Sequence, residues 1–200
     1  MSLSRCTPWT VPAVFLWTAL AARPAWGHEG AAALGGFAAG FMHPLLGWDH
    51  LAAMLAVGLW GALLGGPAIW VLPIAFPLVM AIGGALAVAG LPLPAVETGI
   101  ASSAIVLGGA VAATLRPPLS IAALLVGAFA ILHGHAHGSE LPVAASPLTY
   151  SAGFVLTTGL LHLLGIGVGT FSDWPAGCFA VRMLGVAIAL VGIVFLAGAA

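Results

Sequence analysis

The chain has 200 residues, of which 62% are hydrophobic and 4% are charged, and its formal net charge is −1. Soluble domains typically carry about 25% charged residues, so this composition excludes a water-soluble globular fold. It also excludes a nucleic-acid partner, because a chain without lysine and with four basic residues has no patch that could neutralise phosphates. The composition predicts one compact membrane domain.

The first 27 residues have the features of a cleavable signal peptide. Arg5 precedes an apolar run at 11–22 of about 12 residues, which is too short to span a bilayer, and Ala25-Trp26-Gly27 forms a small-x-small cleavage pattern. The alternative is an additional transmembrane helix that ends at Arg23. Cleavage after Gly27 would leave 28–200 as a single transmembrane domain with His28 at its N-terminus, where the α-amine and ring Nδ1 can chelate one metal ion.

Six apolar spans follow, separated by short segments that contain proline and glycine. Helices satisfy their own backbone groups in lipid, so we expect an all-α polytopic protein. The first span would be about 45 Å long as one straight helix. We therefore expect a short outer segment up to Met42, a break near Pro44 and Gly47, and a spanning helix from Trp48 to Leu64. The six predicted spans are 35–64, 69–88, 96–115, 119–132 with an extension to 137, 148–168 and 178–196.

The arginines of the predicted mature chain indicate its orientation. A cleaved signal peptide places the new N-terminus outside, and the loops near Arg116 and Arg182 then fall on the cytoplasmic side, in agreement with the positive-inside rule. We expect a multi-pass protein of the bacterial inner membrane, with the lipid bilayer around it and no assigned oligomeric state.

Ionisable side chains in the segment HPLLGWDH predict a bound cation. His43, Asp49 and His50 lie in an otherwise apolar region, where each would cost from about 3 to more than 10 kcal/mol without a partner. On a continuous helix, His43 and His50 would stand about 10.5 Å apart, so only the predicted break can bring them to one ion. Asp49 is a candidate ligand, or a partner that fixes a histidine tautomer. Met54 is a candidate sulfur ligand, although we favour a packing role.

A second polar cluster, HGHAHGSE, lies at the outer end of the fourth predicted span. His133 and His137 share one helical face, whereas His135 points away from it. The alternative is a solvated cap that ends the helix. Three alternating histidines beside Glu140 favour metal capture at the outer surface instead.

Two isolated groups extend the series of ionisable residues into the membrane. Glu97 opens the third predicted span, where an acidic residue also suits a helix N-terminus. His162 lies about 15 residues into the fifth span, past the midplane, where a structural hydrogen bond is the alternative. With His28 and Glu29 outside, the ionisable residues form a series from the outer surface into the membrane. This series predicts a path in which HGHAHGSE captures the metal and HPLLGWDH lies on the route.

The ligand types narrow the choice of metal and of reaction. Imidazole and carboxylate without thiolate suit Ni²⁺, Co²⁺, Zn²⁺ or Cu²⁺. The chain contains no HExxH and no GxxxxGK[ST] motif, so we expect neither a zinc protease nor ATP-driven transport within this chain. We expect no enzyme and no prosthetic group.

Five segments closely resemble the HupE/UreJ family of hydrogenase and urease accessory membrane proteins, over essentially the whole mature chain. They are HEG, HPLLGWDHLAAMLAVGLWG, VETGIASSAIVLG, HGHAHGSELP and LLHLLGIGVG. The resemblance implies uptake of nickel, or of cobalt, by a secondary or facilitated route that supplies urease or hydrogenase. The residues in the shared motifs are His43, Asp49, His50, Glu97, His133, His137 and Glu140; His135 lies outside the pattern.

The alternative function is a membrane accessory protein that binds nickel without transporting it, and sequesters it or hands it over at the outer surface. His162 favours permeation, because a surface binder does not need a polar residue beyond the midplane.

Overall fold

The computed structural model describes residues 35–141 and 146–198, which form seven α-helices and one 3₁₀ turn, with no strand in these two ranges. The all-α prediction is therefore confirmed. The predicted signal peptide, His28 and Glu29 lie outside the described residues. The helices are α1 (Gly35–Leu46), α2 (Trp48–Leu64), α3 (Ala68–Val88), α4 (Val96–Ala112), α5 (Leu119–Ser139), α6 (Pro147–Gly169) and α7 (Pro175–Gly198), and the 3₁₀ turn is Thr170–Asp173.

The lengths and apolar surfaces of these helices confirm a polytopic membrane protein. α3, α5, α7 and α6 with its 3₁₀ extension have 21 to 27 residues each, and the bent pair α1–α2 also qualifies as a broken span. These elements account for five of the six predicted spans. The sixth, α4, has 17 residues, which is the lower limit of the usual range for a transmembrane helix.

The predicted break in the first span is present, but it lies at Gly47. α1 and α2 meet there at an angle of 80°. The expectation that the outer segment ends at Met42 is wrong, because α1 includes Pro44 and continues to Leu46. Proline inside a transmembrane helix is tolerated where local adjustment and neighbouring helices satisfy the freed backbone groups. Gly47 is extended, and a Cβ there would lie 3.2 Å from Oδ1 of Asp49, so this tight corner suits a residue without a side chain.

Close glycine contacts determine which helices pair. α3 packs along α5, α4 along α7 and α2 along α6. A Cβ at Gly134 of α5 would overlap with the Met80 carbonyl oxygen of α3, and one at Gly58 of α2 would overlap with the His162 carbonyl oxygen of α6. Small residues let transmembrane helices approach until dispersion contacts hold them together. These pairs place α2, α3, α5 and α6 around one interior.

The bundle has a histidine end, where α2 and α6 begin and α5 ends, and an opposite arginine end. At the arginine end, Arg182 donates from Nε to the Ala112 carbonyl oxygen at 2.9 Å. Trp60 donates from Nε1 to the Leu115 carbonyl oxygen at the same distance. Arg116 lies in the connection between α4 and α5 at this end, so both arginines are far from the histidine end along the helices.

Candidate metal centre

Three histidines from three helices form the centre of the histidine end. His43, His50 and His137 each offer a ring nitrogen, and these atoms lie within 4.8 Å of one another. Metal–nitrogen bonds of about 2.0–2.1 Å place two ligands on opposite sides of an ion about 4.2 Å apart. Small side-chain movements would therefore let this three-histidine group hold one ion.

The bend at Gly47 explains how His43 and His50 meet. His43 lies in the last turn of α1 and His50 in the first turn of α2. Their ring centroids are 5.8 Å apart, well below the separation that a continuous helix would impose. The prediction that a break brings these two residues together is confirmed.

His137 completes the group from α5. Its ring centroid lies 4.8 Å from that of His43 and 4.5 Å from that of His50. Both of its ring nitrogens are buried and have no hydrogen-bond partner within the described ranges. A buried polar atom left unpaired costs about 1–3 kcal/mol, so a ligand that accepts imidazole nitrogen fits this position.

His133 adds a fourth imidazole one turn away from His137 on α5. Its ring centroid is 5.4 Å from that of His50. Its Nδ1 donates to the Phe129 carbonyl oxygen at 2.9 Å, because a carbonyl can only accept. Nε2 then carries the lone pair, and it is buried without a partner in the described part of the chain. A main-chain bond at Nδ1 is a common way of orienting a metal-binding histidine.

Two carboxylates flank these histidines. Asp49 Oδ1 lies 3.1 Å from Nδ1 of His50 and accepts the main-chain N–H of the same residue at 2.9 Å. Glu140 Oε2 lies 3.5 Å from Nε2 of His43. Asp49 is therefore placed to orient the His50 ring, and the two negative charges favour a cation between them.

Exposure decreases from the rim of the histidine end to its interior. The side chains of Glu140 and His43 are 35% and 24% exposed. His50 and His137 are buried, and His133 is completely buried. These five side chains therefore extend from the surface of the bundle to its interior.

The expectation that HPLLGWDH and HGHAHGSE form two spatially separate clusters is wrong, whereas their roles in capture and on the route stay a prediction. The bend between α1 and α2 and the end of α5 lie at the same end of the bundle, so His43 and His50 share one group with His137. Residues this far apart in sequence are brought together by helix packing, which the local pattern of each segment does not encode.

The other candidate residues lie outside the three-histidine group. His135 contacts the Leu91 carbonyl oxygen through Nε2 at 2.9 Å. Glu97 is exposed in the first turn of α4. Met54 is fully buried, and its Sδ accepts a hydrogen bond from Thr158 at 3.4 Å. His162 lies deeper, where its Nδ1 bonds to the Pro73 carbonyl oxygen at 3.2 Å.

Aromatic side chains around the group were not identified from the sequence. The ring centroid of Phe154 is 4.1 Å from that of His137, and that of Tyr150 is 6.1 Å from that of His43. The Tyr150 hydroxyl is buried without a partner in the described ranges. The sequence signal was weak: Tyr150 is the single tyrosine of the chain, and it lies one turn from Phe154 on a helix whose inward face is known only from packing.

Comparisons with known proteins agree with this arrangement of motifs. The sequence model of the family described as HupE / UreJ protein matches residues 16–195. Among curated proteins, Protein HupE of Rhizobium leguminosarum bv. viciae is 46% identical over 163 residues, which cover 82% of this chain and 85% of that relative. No solved structure matches the chain.

Proposed function

The chain belongs to the HupE/UreJ family, and on that premise we propose that it carries nickel, or cobalt, into the cell to supply urease or hydrogenase. The route is secondary or facilitated, because the chain has no phosphate-binding motif for ATP. The observation that carries the proposal is the three-histidine group of His43, His50 and His137.

The chemistry of this group suits the proposed substrate. Neutral imidazoles together with carboxylates are typical ligands of Ni²⁺ and Co²⁺. Placing unpaired ionisable groups in a membrane domain is costly, and apolar residues would stabilise the same fold at lower cost. Transport of a cation gives these residues a role that packing alone does not.

The proposed orientation places the histidine end outside the cell. Arg116 and Arg182 lie at the opposite end, which the positive-inside rule assigns to the cytoplasm. In this orientation of a protein in the bacterial inner membrane, the metal would arrive at Glu140 and His43 and pass towards the buried histidines.

One observation favours a second candidate, an accessory protein that binds nickel and hands it over without transport. The three-histidine group lies at one end of the bundle, where a surface-binding protein would also place it. The two candidates differ in whether metal reaches the opposite side of the membrane.

Uptake of radioactive nickel into proteoliposomes tests the proposal, with protein-free vesicles as the control. We expect nickel to accumulate in the lumen with time and to be released by an ionophore or detergent. We also expect cobalt to inhibit this accumulation more strongly than zinc or copper. Nickel that binds to the protein but never becomes luminal would support the accessory protein. Absence of both binding and accumulation would contradict both candidates.

A further inference from the structure

Phe76 contacts both the histidine end and a deeper histidine. The Phe76 ring centroid lies 5.4 Å from that of His133 and 5.4 Å from that of His162. All three side chains are almost completely buried. The phenyl ring therefore contacts both the innermost imidazole of the histidine end and a single imidazole below it.

His162 is held in a form that leaves one nitrogen free for a ligand. Its Nδ1 donates to the Pro73 carbonyl oxygen at 3.2 Å. That carbonyl is available because Pro77, four residues later, has no N–H to bond to it. Nε2 of His162 therefore carries a lone pair, and it is buried without a partner among the described residues. Nε2 of His133 is in the same state, on the other side of Phe76.

A sulfur atom and a hydroxyl group lie along α2 and α6, between the depth of His50 and the depth of His162. Met54 follows His50 by one turn on α2, and Thr158 precedes His162 by one turn on α6. Thr158 Oγ1 donates to Met54 Sδ at 3.4 Å, and Gly58 of α2 faces the His162 carbonyl. Because eight residues of α2 separate His50 from Gly58, His162 lies about 12 Å deeper than His50 along the helix.

We propose that His162 is an inner binding station for the transported divalent cation, and that Phe76 is the gate between it and the three-histidine group. The inference rests on the proposed function. A phenyl ring offers no ligand and excludes water, so its position decides whether an ion can pass between the two Nε2 atoms. Pro73 and Pro77 flank Phe76 and each remove one helical hydrogen bond, which makes this part of α3 the easiest to bend.

The substitution His162→Asn separates a ligand role from a structural role. The asparagine amide can still donate to the Pro73 carbonyl from the position of Nδ1, but it lacks the Nε2 lone pair. Equilibrium dialysis of the purified full chain against radioactive nickel should give roughly two ions per wild-type chain and roughly one per His162→Asn chain. His135→Asn is the matched control and should bind as wild type does.

Uptake kinetics then locate the second ion on the route. We expect His162→Asn to lower the maximal uptake rate by about tenfold, with less than about a twofold change in the half-saturating nickel concentration. Suppose that the wild-type protein transports nickel, but that His162→Asn changes neither the number of bound ions nor the maximal uptake rate. This result would overturn the inner station alone. Wild-type protein that neither binds nor transports nickel would instead overturn the proposed function, and this inference with it.

Substitution of Phe76 tests the gate separately. Vesicles that contain Phe76→Ala and are preloaded with nickel should lose it several-fold faster than wild-type vesicles, because the dry barrier between the two stations is gone. Leu72→Ala is the matched control, since Leu72 is also fully buried and lies one turn away on α3. Equal efflux from the Phe76→Ala and Leu72→Ala proteins would overturn the gate.

Discussion

The imidazole of His137 on α5 stands edge-on to that of His50 on α2, with ring centroids 4.5 Å apart and ring planes at 84°. Both ring nitrogens of His137 are buried and have no hydrogen-bond partner within the described ranges. This contact makes the two histidine motifs of the sequence one site.

Substitutions within the three-histidine group should be strongly coupled. His43→Ala and His50→Ala should each weaken nickel binding by at least about tenfold, or about 1.4 kcal/mol, because each removes a ligand from the same ion. The loss of nickel affinity in the double variant should be much smaller than the product of the two single losses, as expected for residues that act together. Isothermal titration with nickel measures all three. Effects that multiply would mean two independent sites.

The sequence predicted the helices well, because apolar runs bounded by proline and glycine are local signals. The start of α4 at Val96 and the bounds of α2 at Trp48 and Leu64 agree with the expected spans. The sequence did not predict that the two histidine motifs form one site, or that Phe76 contacts the histidines. α3 is apolar on every side, so nothing in its sequence indicates which of its residues faces the histidines.

Nickel binding should weaken in acid. Neutral imidazole is the ligand, and protons compete with the metal ion for its nitrogen lone pair. Binding at limiting nickel should therefore fall as the pH is lowered from about 7.5 to 5.5. Excess nickel should restore occupancy at pH 5.5 by mass action. Binding that is constant over this range would argue against imidazole as the main ligand.

The α3–α5 contact should tolerate no side chain at Gly134. Gly134→Val would force a Cβ into the Met80 carbonyl oxygen, and backbone cannot move away as a side-chain tip can. Overpacking of this kind costs about 1–3 kcal/mol or more, so we expect a lower thermal unfolding temperature in detergent. Gly127→Val, on the same helix but facing open space, is the matched control. Equal stability of the two variants would contradict the described packing.

Processing at Gly27 is a prediction for the part of the chain outside the described residues. N-terminal sequencing of the purified membrane protein should begin HEGAAA, and the intact mass should lack residues 1–27. An unprocessed N-terminus would contradict this prediction and would add a span to the predicted six.

The two histidines His135 and His137 offer the most direct measurement of the central claim. They lie two residues apart on α5, but His137 belongs to the three-histidine group, whereas His135 contacts the Leu91 carbonyl outside it. Initial uptake of radioactive nickel into proteoliposomes should be nearly abolished by His137→Ala and close to wild type for His135→Ala, at equal protein abundance. Equal uptake by the two variants would contradict the account.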